Sequence, residues 1–299
     1  MGAIAFVGLG NMGGPMAANF VAKGQTVKGF DLSAAACQAA EAAGAVIAAS
    51  PEAAVEGVDI VVTMLPSGQH VLDVWGRLLP MAGPGTLFID SSTIDVQSAR
   101  QAHSLAERHG MVALDAPVSG GVSGARGATL TFMVGGTESA FALGRPILEQ
   151  VGKRIVHCGD AGAGQATKIC NNMITGVSMI AVSEAFVLAE RLGIAPKALF
   201  DVASTSSGQC WALSNYCPVP GLVPSSPASN GYKPGFAASL MLKDLRLAKE
   251  AALAANATTP LGFAAVDVYS LFAENGHGGD DSSAIVRYLR DEAHAGATD

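Results

Sequence analysis

The sequence predicts two domains: an α/β domain built on a mostly parallel sheet over residues 1–162, and an all-helical domain over 163–299 that opens with a long helix. Three observations predict this division. Short apolar runs alternate with helix-patterned segments through the first half, the signature of strand–helix–strand units with right-handed crossovers. A glycine-rich stretch, Gly159 to Gly164, interrupts that alternation. Beyond it strand patterns nearly cease and long helical ones take over. A chain of 299 residues, 49% of them hydrophobic, is long enough to bury two such cores.

The opening unit is the most specific. Ala3-Ile4-Ala5-Phe6-Val7 is an apolar run, Gly8-Leu9-Gly10-Asn11-Met12-Gly13 follows at once, and residues 14–21 continue as a helix. Strand, glycine turn and helix in that order form the Rossmann-type dinucleotide-binding arrangement. Gly8 lets the strand turn tightly, Gly10 leaves the backbone open to a pyrophosphate, and Gly13 lets the helix pack against the strand. Asn11 and Met12 lie between them, and the helix start offers N–H groups and the positive end of its dipole. The next apolar run ends at Asp31, whose carboxylate can accept hydrogen bonds from ribose hydroxyls and would repel a 2′-phosphate. NAD is therefore expected rather than NADP. The plainer reading of the same residues is an unrelated glycine turn with Asp31 at a solvated strand end.

The other elements follow in order. Ser33 caps a helix over 34–42, stopped by Gly44, and 45–47 is a short strand. Ser50-Pro51-Glu52 reads as N-cap, N1 proline and acidic first turn. A strand over 59–64 runs into Leu65-Pro66-Ser67, at the strand end where doubly wound sheets bind ligands. A helix over 69–79, a strand over 86–89 ending in Asp90-Ser91-Ser92-Thr93, a helix over 94–108 and a strand over 111–114 ending at Asp115 come next. Strands over 129–134 and 154–157, with a helix over 138–149 between them, complete the first domain. The second domain reads as helices over 166–192, from Pro196, over 237–257, over 261–274 and over 283–292. Five prolines between Cys217 and Pro234 exclude a continuous helix there and leave a loop, ordered or flexible. Gly276 to Asp281 reads as a loop.

Composition narrows the function classes. Net charge is −7 with no Lys/Arg cluster, which argues against a nucleic-acid surface. Five scattered cysteines without a CxxC pair make neither a disulfide framework nor a zinc site, and six histidines show no metal-ligand spacing; no metal is expected. Residues 173–189 are largely apolar but interrupted by Thr175, Ser178, Ser183 and Glu184, a buried helix rather than a membrane span. No leader pattern precedes the first strand, so a cytoplasmic protein is expected. Only 14% of residues are charged, which points to surface buried between domains or subunits.

Three stretches could carry chemistry. Asp115-Ala116-Pro117-Val118-Ser119-Gly120-Gly121 leaves a strand and enters a loop of small residues; the N–H groups of Ser119, Gly120 and Gly121, with the Ser119 hydroxyl, can hold a carboxylate. A plain glycine loop is the competing reading. Lys168 opens the long helix, with Asn172 one turn on along the same face. Partial burial and the helix dipole both disfavour its ammonium form, which moves such a lysine toward acid–base work; a snorkelling lysine is the alternative. Lys243-Asp244 sits among leucines on a later helix, where an exposed polar patch is the plainer reading, and Trp211 reads first as a core residue.

Taken together these motifs resemble the β-hydroxyacid dehydrogenase family over nearly the whole chain. The resemblance is carried by residues 7–13, Asp115 to Gly121, Gly162-Ala163-Gly164-Gln165-Ala166-Thr167-Lys168-Ile169-Cys170-Asn171-Asn172, and Lys243-Asp244-Leu245. Ser207-Gly208-Gln209-Cys210-Trp211 and Pro218-Val219-Pro220-Gly221 are more similar to its hydroxyisobutyrate branch than to the tartronate semialdehyde reductases. The resemblance implies NAD-dependent oxidation of a short 3-hydroxy acid to its semialdehyde, with 3-hydroxyisobutyrate ahead of L-serine or a broader 3-hydroxyacid range. A tartronate semialdehyde reductase or a non-catalytic nucleotide-binding protein ranks lower. It also implies site roles. Lys168 is the acid–base group. Ser119, Gly120, Gly121, Asn172, Trp211 and Asp244 bind substrate. Gly8, Gly10, Asn11, Met12, Gly13, Asp31, Leu65, Pro66, Thr93, Phe236 and Lys243 bind cofactor. A homodimer or homotetramer is implied as well.

Overall fold

The computed structural model describes residues 2–295; the tail beyond, assigned from sequence to the second domain, lies outside the described residues. The first half runs β1 (Ile4–Val7), α1 (Gly13–Ala22), β2 (Val27–Phe30), α2 (Ala34–Ala42), β3 (Val46–Ile47), α3 (Pro51–Val55), β4 (Ile60–Thr63), α4 (Gly68–Leu78), β5 (Leu87–Asp90) and α5 (Val96–Arg108). It continues with β6 (Val112–Asp115), β7 (Val118–Ser119), α6 (Gly121–Arg126), β8 (Leu130–Gly135), α7 (Glu138–Leu148) and β9 (Gly152–Gly159).

These strands form one sheet in the order β3-β2-β1-β4-β5-β6-β8-β7, with β9 paired to β8. From β3 across to β6 every pairing is parallel; β8 runs antiparallel to β6 and β7, and β9 parallel to β8. Every residue of β1, β4 and β5 is buried, because helices cover both faces of the sheet. Alternation along β1 sorts them: Ile4 and Phe6 join Phe20, Val62 and Phe132 on one face, while Ala5 and Val7 join Val61, Trp75 and Phe88 on the other. The strand order reverses between β1 and β4, and the carboxyl ends of strands at such a reversal are where doubly wound sheets bind ligands.

Local chemistry sets the helix starts. Ser33 Oγ accepts from Ala36 N at 3.3 Å, Ser50 Oγ from Ala53 N at 3.2 Å and Thr137 Oγ1 from Ala140 N at 3.1 Å. The helix expected from residue 94 begins at Val96, because the Asp95 carboxylate caps it by accepting from Ser98 N at 2.7 Å. The small-residue loop expected after Gly121 is instead helix α6.

The second half is α8 (Ala163–Arg191), α9 (Pro196–Ala203), α10 (Trp211–Ser214), α11 (Ala238–Ala254), α12 (Pro260–Phe272) and α13 (Ile285–Ala295). Among the described residues its β pairing is the isolated bridge between Ala237 and Asp281. The chain separates into compact units Met1–Lys168 and Ile169–Asp299, so the division falls inside α8. That helix starts three residues ahead of the expected 166, taking in Ala163 and Gly164. It is long and apolar enough to cross a membrane by length and composition, yet its Met179, Ile180 and Phe186 lie in the cores of the helical unit. Met179 and Ile180 pack with Met241, Leu245, Val266, Tyr269 and Ile285. Gly176 lets α8 and α11 approach: a Cβ there would sit 2.9 Å from Leu245 Cδ2. The proline-rich segment is an ordered loop. Its Cys217, Val219 and Val223 are buried against Phe186, and Tyr232 Oη donates to Pro218 O at 2.8 Å.

Candidate active site

In the first unit the predicted cofactor residues gather at the carboxyl ends of β1, β2, β4 and β5. Gly8 has φ +97°, and a Cβ on it would lie 2.2 Å from Met64 O; a Cβ on Gly13 would lie 1.9 Å from Gly8 O. Neither position takes a side chain unless the backbone it meets shifts. Gly10 differs: nothing lies within 4 Å of the Cβ it lacks. No side chain caps α1, so Asn11, Met12 and Gly13 bring an uncapped helix start to that open space. These features fit a pyrophosphate. Asp31 is half-buried; its Oδ2 accepts from Leu9 N at 2.6 Å and its Oδ1 from Ser33 N at 2.7 Å. Each oxygen retains a lone pair that a ribose hydroxyl can use.

The loops after β4 and β5 are tied to one buried carboxyl group. Asp90 Oδ1 accepts from Ser92 Oγ at 2.6 Å and from Thr63 Oγ1 at 2.7 Å. Ser92 Oγ in turn accepts from Leu65 N at 2.7 Å, and Trp75 Nε1 donates to Thr63 Oγ1 at 3.2 Å. Burial pushes Asp90 up from 3.8 to about 6, with the Asp115 carboxylate adding to the rise and the Ser92 and Thr63 hydroxyls opposing it. Leu65 and Thr93 are half-buried and Pro66 is exposed.

Asp115, at the end of β6, caps α8. Its Oδ1 accepts from Gly162 N at 2.8 Å and its Oδ2 from Gln165 N at 2.9 Å, while His103 Nε2 lies 3.0 Å from Oδ1. Two glycines allow this close docking: a Cβ on Gly164 would meet Met133 O at 2.4 Å, and one on Gly135 would meet Gly164 N at 2.7 Å. Lys168 follows one turn into the helix and is buried, 7% exposed. Past Asp115 the chain reaches Ser119, then Gly120 at φ +134° and Gly121 at φ +61°. Two successive positive φ values need glycine, and they lead into the start of α6.

In the second unit, Asn172 is buried on α8 and its Nδ2 donates to Asp244 Oδ2 at 2.5 Å, while Asn171 Nδ2 donates to Asn172 Oδ1 at 3.0 Å. Asp244 is 3% exposed, not a surface patch, and Lys243 Nζ lies 3.8 Å from its Oδ1. Trp211, read first as core, is 52% exposed and stacks on Tyr216 with ring centroids 4.8 Å apart. Phe236 is half-buried, and its backbone N–H donates to Asp281 Oδ2 at 3.1 Å.

Sequence reasoning missed the residues that hold these groups. Asp281, read as part of a loop, is wholly buried and also accepts from Tyr216 Oη at 2.8 Å and Gly235 N at 2.9 Å. Asp90 and Gln165 were likewise not singled out. A run of polar residues at a strand end, Asp90-Ser91-Ser92-Thr93, is the one available signal for Asp90; Gln165 stands only as one residue of the Gly162–Asn172 motif, and nothing local marks Asp281. Among the described residues no group of three or more His, Cys, Asp or Glu is arranged to hold a metal.

Two family models match the chain: the NAD binding domain of 6-phosphogluconate dehydrogenase over residues 3–159, and the NAD-binding region of NADP-dependent 3-hydroxyisobutyrate dehydrogenase over 162–289. The chain is 55% identical over 296 residues to a probable 3-hydroxyisobutyrate dehydrogenase of Mycobacterium tuberculosis, covering 99% of this chain and all of that one. It is 46% identical over 288 residues to an NAD-dependent L-serine dehydrogenase of Pseudomonas aeruginosa, covering 95% and 96% of the two. A solved structure of Mycobacterium tuberculosis 3-hydroxyisobutyrate dehydrogenase with L-serine superposes with a TM-score of 0.94 at 54% identity, over 97% of this chain and 99% of that one.

Proposed function

The chain belongs to the β-hydroxyacid dehydrogenase family, and we propose that it oxidises 3-hydroxyisobutyrate to methylmalonate semialdehyde with NAD. The observation that carries this is the buried Lys168, one turn inside a helix whose start is fixed by Asp115. A desolvated, positioned amine is suited to take a hydroxyl proton as a general base.

Bound NAD supplies the hydride acceptor. The glycine turn and the start of α1 hold its pyrophosphate, Asp31 its adenosine ribose, and Leu65, Pro66, Thr93, Phe236 and Lys243 the remainder. The Ser119 hydroxyl and the N–H groups of Gly120 and Gly121 bind the substrate carboxylate, the Ser119 N–H being taken up by pairing with Thr131 in the β7–β8 ladder, and Asn172, Trp211 and Asp244 orient its carbon skeleton. Neutral Lys168 accepts the hydroxyl proton during oxidation, and the ammonium so formed favours the developing alkoxide. In the reverse direction the ammonium donates that proton. Asp31 supports NAD over NADP, since a 2′-phosphate would face its carboxylate.

L-serine is the second reading. A relative named for L-serine oxidation and a similar structure with L-serine both favour it. A homodimer or homotetramer is part of the proposal, supported by exposed apolar side chains of the helical unit such as Ile174, Leu188 and Leu192. A cytoplasmic location is part of it too.

The deciding experiment measures kcat/KM with NAD for (S)-3-hydroxyisobutyrate, L-serine, 3-hydroxypropionate and D-glycerate, alongside Lys168→Ala. A lead of about 100-fold for hydroxyisobutyrate corresponds to roughly 2.7 kcal/mol of differential contact and supports the first reading. A lead for serine selects the second. Lys168→Ala is expected to lower kcat by roughly 10²–10⁴ while NAD binding survives, and an unchanged kcat removes the lysine from the chemistry.

A further inference from the structure

We propose that Gln165 is a positioning residue that fixes the loop carrying Thr93 to the helix carrying Lys168. The inference rests on the reading above, in which Lys168 is the acid–base group and Thr93 lies beside the nicotinamide. The Gln165 side chain is wholly buried. Its Oε1 accepts from Ile94 N at 3.1 Å, and its Nε2 donates to Ser92 O at 2.8 Å. Those two backbone groups flank Thr93, so a single amide grips the chain on both sides of one residue. The Gln165 backbone N–H meanwhile donates to Asp115 Oδ2 at 2.9 Å, which pins the same turn of α8 to the end of β6. Lys168 follows Gln165 by three residues and shares its side of the helix.

Glutamine suits this task for a chemical reason. The clamp needs one acceptor and one donor at the same distance from the helix. Leucine has the size and neither group, asparagine falls one methylene short, and ionised glutamate presents a second acceptor to the Ser92 carbonyl. Any slide of the 92–94 segment along α8 leaves a buried N–H and a buried C=O unpaired, which the interior penalises. The spacing between loop and lysine is thereby held by a group that touches neither reactant. Hydride transfer is sensitive to such spacing: a displacement on the order of 1 Å costs about 10²-fold in rate.

The test uses the full chain carrying Gln165→Leu or Gln165→Glu. It reads kcat, KM, NAD affinity, the primary deuterium isotope effect on kcat with (S)-3-hydroxyisobutyrate or L-serine deuterated at the hydroxymethyl carbon, and amide exchange at Ile94. Gln165→Leu is expected to lower kcat by about 10–100-fold and raise the isotope effect, with NAD affinity within about threefold of wild type. Gln165→Glu is expected to show the same loss at pH 9 and to regain at least about fivefold relative to wild type as pH falls to 6, because a protonated carboxyl again donates to Ser92 O. A brace that served stability alone would lower the active fraction without raising the isotope effect on kcat. The proposal is overturned if kcat and isotope effect match wild type in both variants, or if kcat and NAD affinity fall together with no recovery at low pH. Should Gln165→Leu not fold, the isotope effect of Gln165→Glu at pH 9 and at pH 6 decides alone: raised at pH 9 and back toward wild type at pH 6 supports the positioning role, and a wild-type value at both overturns it. A wild-type chain with no NAD-dependent oxidation fails the functional reading and the positioning role with it. Unchanged Ile94 exchange in Gln165→Leu, in an active enzyme, fails the clamp by itself.

Discussion

The strand ends of the first unit and the helix faces of the second build their candidate sites from different material. In the first, the candidate groups are mainly backbone N–H groups and the spaces that glycines leave: the turn at Gly8 to Gly13, the uncapped start of α1 and the Gly120-Gly121 pair. In the second they are side chains joined across long sequence separations: Asn172 to Asp244, 72 residues apart, and Tyr216 to Asp281, 65 apart. A backbone site is damaged by adding atoms, a side-chain site by removing them. Asp31 at the end of β2, and Asp115, Gln165 and Lys168 at the start of α8, are where side chains take over within the first unit.

The largest test of that contrast concerns Asp90, a side chain that supports a backbone-built region. Its folded-state pKa is raised from 3.8 to about 6, so the protonated acid is what folding favours. That preference is fully present below 3.8 and is lost as pH rises through about 6. Between pH 4 and pH 7, wild type is expected to lose roughly 2–3 kcal/mol of unfolding free energy relative to Asp90→Asn. Urea titrations of both proteins at the two pH values read this directly, and a constant difference between them would show that the carboxyl holds no proton in the fold.

Next in size are two glycines of one turn. Gly13→Ala places a methyl 1.9 Å from Gly8 O and is expected to cost about 1–3 kcal/mol, visible as a lowered Tm. Gly10→Ala enters open space and should change stability by less than about 0.5 kcal/mol while weakening NAD binding about tenfold. Equal Tm losses would break the distinction between packing glycine and ligand glycine. The smallest effect belongs to the helical unit. A double-mutant cycle on Asn172→Ala and Asp244→Ala is expected to give a coupling of about 1–2 kcal/mol in unfolding free energy. Strictly additive single losses would mean that the two side chains do not act as a pair.

The same contrast explains what the sequence disclosed. Backbone-built features are local: a glycine turn between strand and helix occupies a dozen consecutive residues, and periods of two and of 3.6 residues locate the sheet and its helices. Caps such as Ser33 and Ser50 act within three residues and were equally readable. Lys168 could be picked out because it opens a helix that is otherwise apolar. The surroundings of Asp244 could not, since its hydrogen-bond partner is supplied by another helix, and a polar pair among leucines looks the same whether buried or solvated. Trp211 failed in the other direction: hydrophobic size argued for the core, while the side chain stacks on Tyr216 and remains half in solvent. Asp281 is invisible for a related reason, because its donors come from Tyr216, Gly235, Phe236 and Ser283, three of them more than forty residues away.

The two tryptophans also give the chain an optical consequence. Trp75 lies wholly buried beneath the sheet of the first unit, edge-on to Phe88 at 5.1 Å, and Trp211 is 52% exposed in the second. Each compact unit therefore carries one indole, and the two differ in polarity and in access to quenchers. Acrylamide reaches Trp211 and spares Trp75, so the quenched and protected fractions of one emission spectrum follow the two units separately. No dye, label or truncation is needed to record which half of the chain loosens first on warming.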